Sequence, residues 1–231
     1  LLLNRFLNSN IALVGTLFFV LSPRIYASSF YNNKDLVFLS LATIALYYCF
    51  KSLEKVNYKN LLIFSIFAAM CTSSRIFGFI FPLSFSIFYF LSFSSNMKIL
   101  KNLKFIVFFL VSYFLFLLVF WPELWSNPIE NLFFSFKYFK FFDGFNIKMF
   151  FNGEYINSSF LPYSYIFKWI LITTPILYIL LFLIGYFVIF RRFFLRLINI
   201  KENSYYPDFW RGINEKKDLF ILINLTGVIF G

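Results

Sequence analysis

The sequence predicts an all-α polytopic transmembrane helix bundle with one long external loop carrying an interfacial helix, and three observations predict it. The 231 residues are 61% hydrophobic and only 13% charged, with a mean hydropathy of +0.77; soluble domains average roughly 45–50% apolar and ~25% charged. The apolar residues gather into long runs, at about 6–22, 36–50, 60–74, 77–95, 105–120, 166–190 and 219–231. Polarity does not alternate within these runs, and in lipid the backbone must satisfy its own hydrogen bonds, so they are helices rather than strands of a barrel. The chain reads as one transmembrane domain of six or seven spans. It begins at Leu1 and stops at Gly231 within an apolar run, which reads as an internal fragment of a longer protein.

The 21 Lys and Arg outnumber the 10 Asp and Glu. They cluster between the apolar runs, an arrangement that orients a membrane protein rather than one that grips nucleic acid. Fourteen of them fall in one set of alternate loops, around Arg5, Lys51 to Lys59, Lys98 to Lys104 and Arg191 to Lys217; seven fall in the other set, although it includes the longest loop. The richer side is cytoplasmic. Segments 23–35, 75–76 and 121–165 then face outward, and 191–218 is a basic cytoplasmic connector. A bacterial inner or plasma membrane is the expected location. The absence of His excludes a histidine base and most Zn, Cu and haem ligation. Cys49 and Cys71 each lie inside an apolar run and make neither a disulfide framework nor a CxxC site. Phosphate-loop, dinucleotide, HExxH and GxSxG motifs are all missing.

Taken in order, the first span ends at Ser22-Pro23, because proline cannot continue a helix. The next two spans are short. Fifteen uncharged residues lie between Asp35 and Lys51, and fifteen more between Lys59 and Arg75, each worth about 22 Å of helix. A hydrocarbon core is about 30 Å thick, so either the bilayer thins or the helices run past their flanking charges. Lysines snorkel, but Asp35 is too short to do so. Asp35 and Arg75 are therefore expected near the outer boundary, facing protein or a water-filled cavity, where an ionisable group marks a functional site by default. Two readings stand side by side: the two residues pair to hold the bundle, or they handle a charged substrate, with arginine's planar fork suited to phosphate. The short loop before the second span holds Arg24, Lys34 and Asp35 with Tyr26 and Tyr31, a set fit either to bind an anionic head group and sugar or to anchor the chain at the interface.

The external segment opens with Trp121-Pro122-Glu123-Leu124-Trp125. Asn127, Pro128 and Glu130 then form a capping signature that predicts a helix over 128–142. Asp143-Gly144 and Asn152-Gly153-Glu154 mark turns. Glu123, set between two tryptophans at the end of a span, is either a substrate-contacting acid or a solvated neighbour of belt residues. Thr173-Thr174-Pro175 inside the sixth run predicts a kink whose freed backbone group the threonines satisfy.

Several stretches together resemble the polyprenyl-phosphate-sugar-dependent membrane glycosyltransferases of the GT-C superfamily, in the protein O-mannosyltransferase and aminoarabinose-transferase-like branch. They are Ser22-Pro23-Arg24-Ile25-Tyr26 through Asn33-Lys34-Asp35, then Thr72-Ser73-Ser74-Arg75-Ile76-Phe77-Gly78, Trp121-Pro122 to Trp125 with Pro128, Gly153, Leu161-Pro162 to Tyr165, and Thr173-Thr174-Pro175. The resemblance implies an active site on the non-cytoplasmic face, where a sugar leaves a lipid-linked phosphate for a glycan, lipid or protein acceptor with inversion at the anomeric carbon. It implies that the general base lies in a first external loop ahead of Leu1, and that Asp35 corresponds to the family's second acid. Arg24, Lys34 and Arg75 correspond to donor-phosphate contacts, with Tyr26, Tyr31, Glu123 and Trp125 as further substrate-binding candidates. No cofactor is evident and no cluster of metal ligands appears, while some members of the family use a divalent cation. Two other classes remain open at this stage: a carrier or flippase for a lipid-linked anion, and a non-catalytic membrane scaffold.

Overall fold

Several helix boundaries follow from local features of the sequence. The computed structural model describes residues 1–5, 7–91, 99–141, 147–198, 215 and 217–222. Helix α1 (Ser9–Val20) stops before Ser22-Pro23, and Pro23 then opens a short second helix, α2 (Pro23–Ser28), from its first position, where a missing N–H costs nothing. Helix α3 (Asn33–Glu54) is 22 residues long, about 33 Å at 1.5 Å per residue. It reaches bilayer thickness by running past its flanking charges. Lys34 and Asp35 therefore lie in its first turn, and the loop expected to carry them is shorter than the sequence suggested.

Three residues later the chain turns back into α4 (Tyr58–Ser74). Helix α4 ends at Arg75, whose extended backbone breaks the helix before a tight 3-10 turn, Ile76–Phe79, that leads into α5 (Ile80–Leu91). Helix α6 (Ile99–Phe120) is followed by a 3-10 turn at Pro122–Leu124. The helices α3, α6 and α9 (Ile176–Ile198) are long and apolar enough to cross a membrane.

The described residues fall into two compact units. In the first, residues 1–122 with 185–231, the core is built on α4. Phe64 of α4, Phe85 of α5 and Phe109 of α6 are fully buried and meet pairwise with ring centroids 4.8–5.2 Å apart. Such aromatic pairs add about 0.5–1.5 kcal/mol each beyond their area. Ser65, Ala68, Ala69, Cys71 and Thr72 of α4 are also buried. Small side chains at this spacing let helices approach closely, and van der Waals contact of this kind replaces the hydrophobic effect as the cohesive force in lipid. The Tyr113 hydroxyl donates to Thr72 Oγ1 at 2.9 Å, while Thr72 donates to the Ala68 carbonyl at 2.9 Å. At the far end of α3, Lys217 pairs with Glu54 at 2.9 Å.

The second unit, residues 123–184, holds α7 (Pro128–Lys140), the strands β1 (Lys148–Phe151) and β2 (Glu154–Asn157), and α8 (Ser164–Thr173). Helix α7 starts at Pro128 as predicted, but the Asn127 side chain makes no cap bond; the Asn127 carbonyl accepts the Asn131 N–H instead. The strands pair antiparallel, Phe151 opposite Glu154, around Asn152 (φ 56°) and Gly153 (φ 89°), the left-handed pair that a two-residue hairpin requires. This hairpin is the one strand pair among the described residues. Tyr165 of α8 packs on Phe151 with ring centroids 5.2 Å apart, and Lys168 reaches Asn152 Oδ1 at 3.3 Å. At Thr174-Pro175 the expected kink is a full break: Thr174 is extended, so α8 and α9 are separate helices. Among the described residues no side chain of α9 is buried, the surface expected of a helix that faces lipid. Helix α9 also continues through Arg191 to Ile198. Residues 92–95 and 223–231 of two apolar runs, Lys98, the helix end at Phe142, the Asp143-Gly144 turn and most of the 191–218 connector lie outside the described residues.

Candidate active site

Asp35 sits where the N-terminus of α3 meets the C-terminus of α4. Asn32 caps α3: its side-chain oxygen accepts the Asp35 N–H at 3.2 Å, and its amide donates to Asp35 Oδ2 at 2.7 Å. The first bond is an N-cap, and the second ties the two side chains together. Together they fix the carboxylate and place its charge at the positive end of the helix dipole. Asp35 Oδ1 accepts from Arg75 Nη2. Both carboxylate oxygens are thus engaged.

Arg75 is fixed from its own side. Its N–H donates to the Cys71 carbonyl at 2.9 Å, and its carbonyl accepts the Gly78 N–H at 2.8 Å. Ser73, Ser74 and Thr72 return their hydroxyls to carbonyls one turn back. Gly78 lets the turn fold onto α4: a Cβ there would lie 2.4 Å from the Cys71 carbonyl carbon and 2.5 Å from the Thr72 nitrogen. The guanidinium is therefore aimed by a packed turn rather than by a free loop.

Arg75 lines an open cleft of about 540 Å³ together with Asn33, Lys34, Val37 and Ser74, and Asp35 is joined to that cleft through its bond to Arg75. Side-chain exposure is 46% for Arg75 and 57% for Asp35. An ion pair this open contributes about 0–1 kcal/mol to stability, so its consequence is geometric. Two cations and one carboxylate leave the cleft with a surplus positive charge beside a helix N-terminus, a setting for an anionic phosphate ester. The remaining N–H groups of Arg75 are directed donors for such a group, and the Lys34 ammonium is a mobile point charge.

Of the sequence candidates, the fold brings together Asp35, Arg75 and Lys34. Arg24 and Tyr26 lie on α2, with Tyr26 edge-on to Phe30 at 5.4 Å, and Tyr31 lies in the link to α3; none of the three lines the cleft. Glu123 and Trp125 belong to the second unit. There the Glu123 carbonyl accepts the Asn131 amide at 2.6 Å, and Trp125 is exposed. Sequence reasoning gave no role to Asn32, Ser74 or Gly78, although Ser74 and Gly78 stand in a stretch that carries the family resemblance. Asn32-x-x-Asp35 before an apolar run was a readable cap signal, whereas nothing local marks Gly78 as a contact point. Among the described residues no three His, Cys, Asp or Glu side chains group as metal ligands.

No curated protein and no solved structure matches the chain. Residues 1–125 match the family described as dolichyl-phosphate-mannose-protein mannosyltransferase. That span covers more than half of the sequence and includes Asp35, Lys34, Arg75 and Gly78. The helix bundle agrees with that match, and a match over more than half of the sequence leads to one conclusion: the chain belongs to the dolichyl-phosphate-mannose-protein mannosyltransferase family, integral membrane glycosyltransferases of the GT-C type.

Proposed function

We propose that the chain transfers a sugar from a polyprenyl-phosphate donor to a protein, glycan or lipid acceptor, and that the cleft at Asp35 and Arg75 opens on the non-cytoplasmic face. Family membership favours a transferase over the carrier and scaffold alternatives. The observation that carries the site assignment is that Arg75, held by Asp35, shares one cleft with Lys34. The two-to-one excess of Lys and Arg on the other set of loops supports the outward orientation.

In the proposed step an acceptor oxygen attacks the anomeric carbon as the bond from that carbon to the phosphate oxygen breaks. The electron pair of the broken bond leaves on the lipid phosphate, and the acceptor's proton passes to a carboxylate. One displacement inverts the anomeric centre. Arg75 and Lys34 offset the charge that grows on the departing phosphate. Asp35 holds Arg75 in line for this and offers its unused lone pairs to a sugar or acceptor hydroxyl.

The test is Asp35→Asn in protein reconstituted with a polyprenyl-phosphate sugar. Transfer is expected to fall by about 10²-fold, the scale of a displaced positioning group, with membrane expression and thermal stability nearly unchanged because the pair is so exposed. Turnover equal to the parent protein overturns the role given to Asp35.

A further inference from the structure

At the end of the first unit away from Asp35 lies a second cleft, of about 610 Å³. It has apolar walls from Leu2, Leu3, Leu7, Phe50, Ile189 and Ile221 and a charged rim. Asp218, only 9% exposed, accepts from Arg192 Nη2 at 3.1 Å and from Arg196 Nη2 at 2.8 Å. One carboxylate thus holds two guanidinium groups. Arg196 Nη1 is buried with no hydrogen-bond partner among the described residues, which leaves a desolvated cationic donor. Lys217 is paired with Glu54 and Glu215 completes the rim. Among the described residues Glu54 cancels Lys217, and the positive surplus is local: Arg192 and Arg196 exceed the Asp218 carboxylate they share by one charge.

We infer that this cleft binds the phosphodiester of an anionic phospholipid, with an acyl chain along its apolar wall. A phosphodiester carries one negative charge, matching the local surplus at the two guanidinium groups, and offers acceptor oxygens to Arg196 Nη1 and to further N–H groups of Arg192. A free phosphate ion carries more charge and makes no use of the apolar wall. The position suits the occupant, because the rim follows the apolar stretch of α9 directly, which in the orientation proposed above sets it at the head-group level of the lysine-rich side. Basic pockets between helices on that side are suited to anionic head groups. The site is independent of the chemistry proposed at Asp35.

The experiment is native mass spectrometry of the detergent-solubilised protein with phosphatidylglycerol, with phosphatidylcholine, and with phosphatidylglycerol plus millimolar inorganic phosphate. One phosphatidylglycerol is expected to stay bound in preference to phosphatidylcholine and to resist phosphate. Its retention should weaken at least about tenfold in Arg192→Gln and in Arg196→Gln, a loss of roughly 1.4 kcal/mol. Lys59→Gln, which removes an exposed cation from the same side without touching the cleft, should behave as the parent. Arg192→Gln keeps the Arg196–Asp218 bond, so it carries the test even where Arg196→Gln fails to fold. Equal retention of the two lipids, equal loss in Lys59→Gln and Arg192→Gln, or displacement of the lipid by inorganic phosphate each overturns the inference.

Discussion

Replacing Gly78 with alanine tests whether the turn that aims Arg75 is rigid. The added Cβ would stand 2.4 Å from the Cys71 carbonyl carbon, 2.5 Å from the Thr72 nitrogen and 2.7 Å from the Cys71 oxygen, against about 3.5–4.0 Å for comfortable contact. All three are helix backbone atoms, which no rotamer change can move aside. The turn must therefore retreat from α4 by about 1 Å or more, and overpacking of this kind costs about 1–3 kcal/mol. For a chain of this size each kcal/mol lowers the unfolding midpoint by roughly 2–4 °C. Cys49 and Cys71 are the sole thiols and both are fully buried, so a fluorogenic maleimide reacts only as the bundle opens. Gly78→Ala is expected to bring that reaction to lower temperature by several degrees and to reduce sugar transfer, because Arg75 moves with the turn. A parent-like transition together with parent-like turnover would refute the claim that backbone contact at Gly78 sets the cleft.

Three further outcomes follow from the same geometry. Thr72→Val leaves the Tyr113 hydroxyl buried without its acceptor and should cost about 1–3 kcal/mol, whereas Tyr113→Phe leaves Thr72 bonded to Ala68 and should cost about 0.5–1.5 kcal/mol; thermal scans that rank the pair the other way contradict the assigned hydrogen bonds. Asn32→Ala removes the α3 N-cap and should destabilise by about 0.5–2 kcal/mol, visible as a lower midpoint in the same thiol assay. A cysteine placed at Tyr163, which is fully exposed, should react with an impermeant maleimide in intact cells, while one at Lys55 should react only after permeabilisation; the opposite pattern reverses the orientation.

Where patterns are local, the sequence was enough. Long apolar runs gave the helices, Ser22-Pro23 and Pro128 gave a stop and a start, and unequal cation counts gave an orientation to test. Asp35 and Arg75 stood out because they bounded runs too short for a bilayer. That shortness came partly from counting charges as ends, since α3 holds Lys34, Asp35, Lys51 and Glu54 within one helix. The sequence showed a turn at Asn152-Gly153, yet the strands beside it were harder to see, because an aromatic-rich background hides a four-residue alternation. The break at Thr174 also exceeded expectation: the residue before proline is pushed toward extended backbone, and here that preference wins over helix continuity. Contacts between separate segments, such as Arg75 with Asp35 or Asp218 between Arg192 and Arg196, depend on how the helices pack and leave no mark in any single stretch.

Helices α3 and α4 are joined by only three residues, and the ion pair that closes their far ends links positions 40 apart. This has a consequence for biogenesis. In the proposed orientation both Asp35 and Arg75 must traverse the hydrocarbon layer during insertion, where a lone Asp or Arg in the middle of a helix costs about 2.5–3.5 kcal/mol on insertion scales. If α3 waits at the translocon until α4 has emerged, the hairpin can enter whole and the two charges cross as one neutral unit. The carboxylate and guanidinium then serve as each other's passage through lipid before either one meets a substrate.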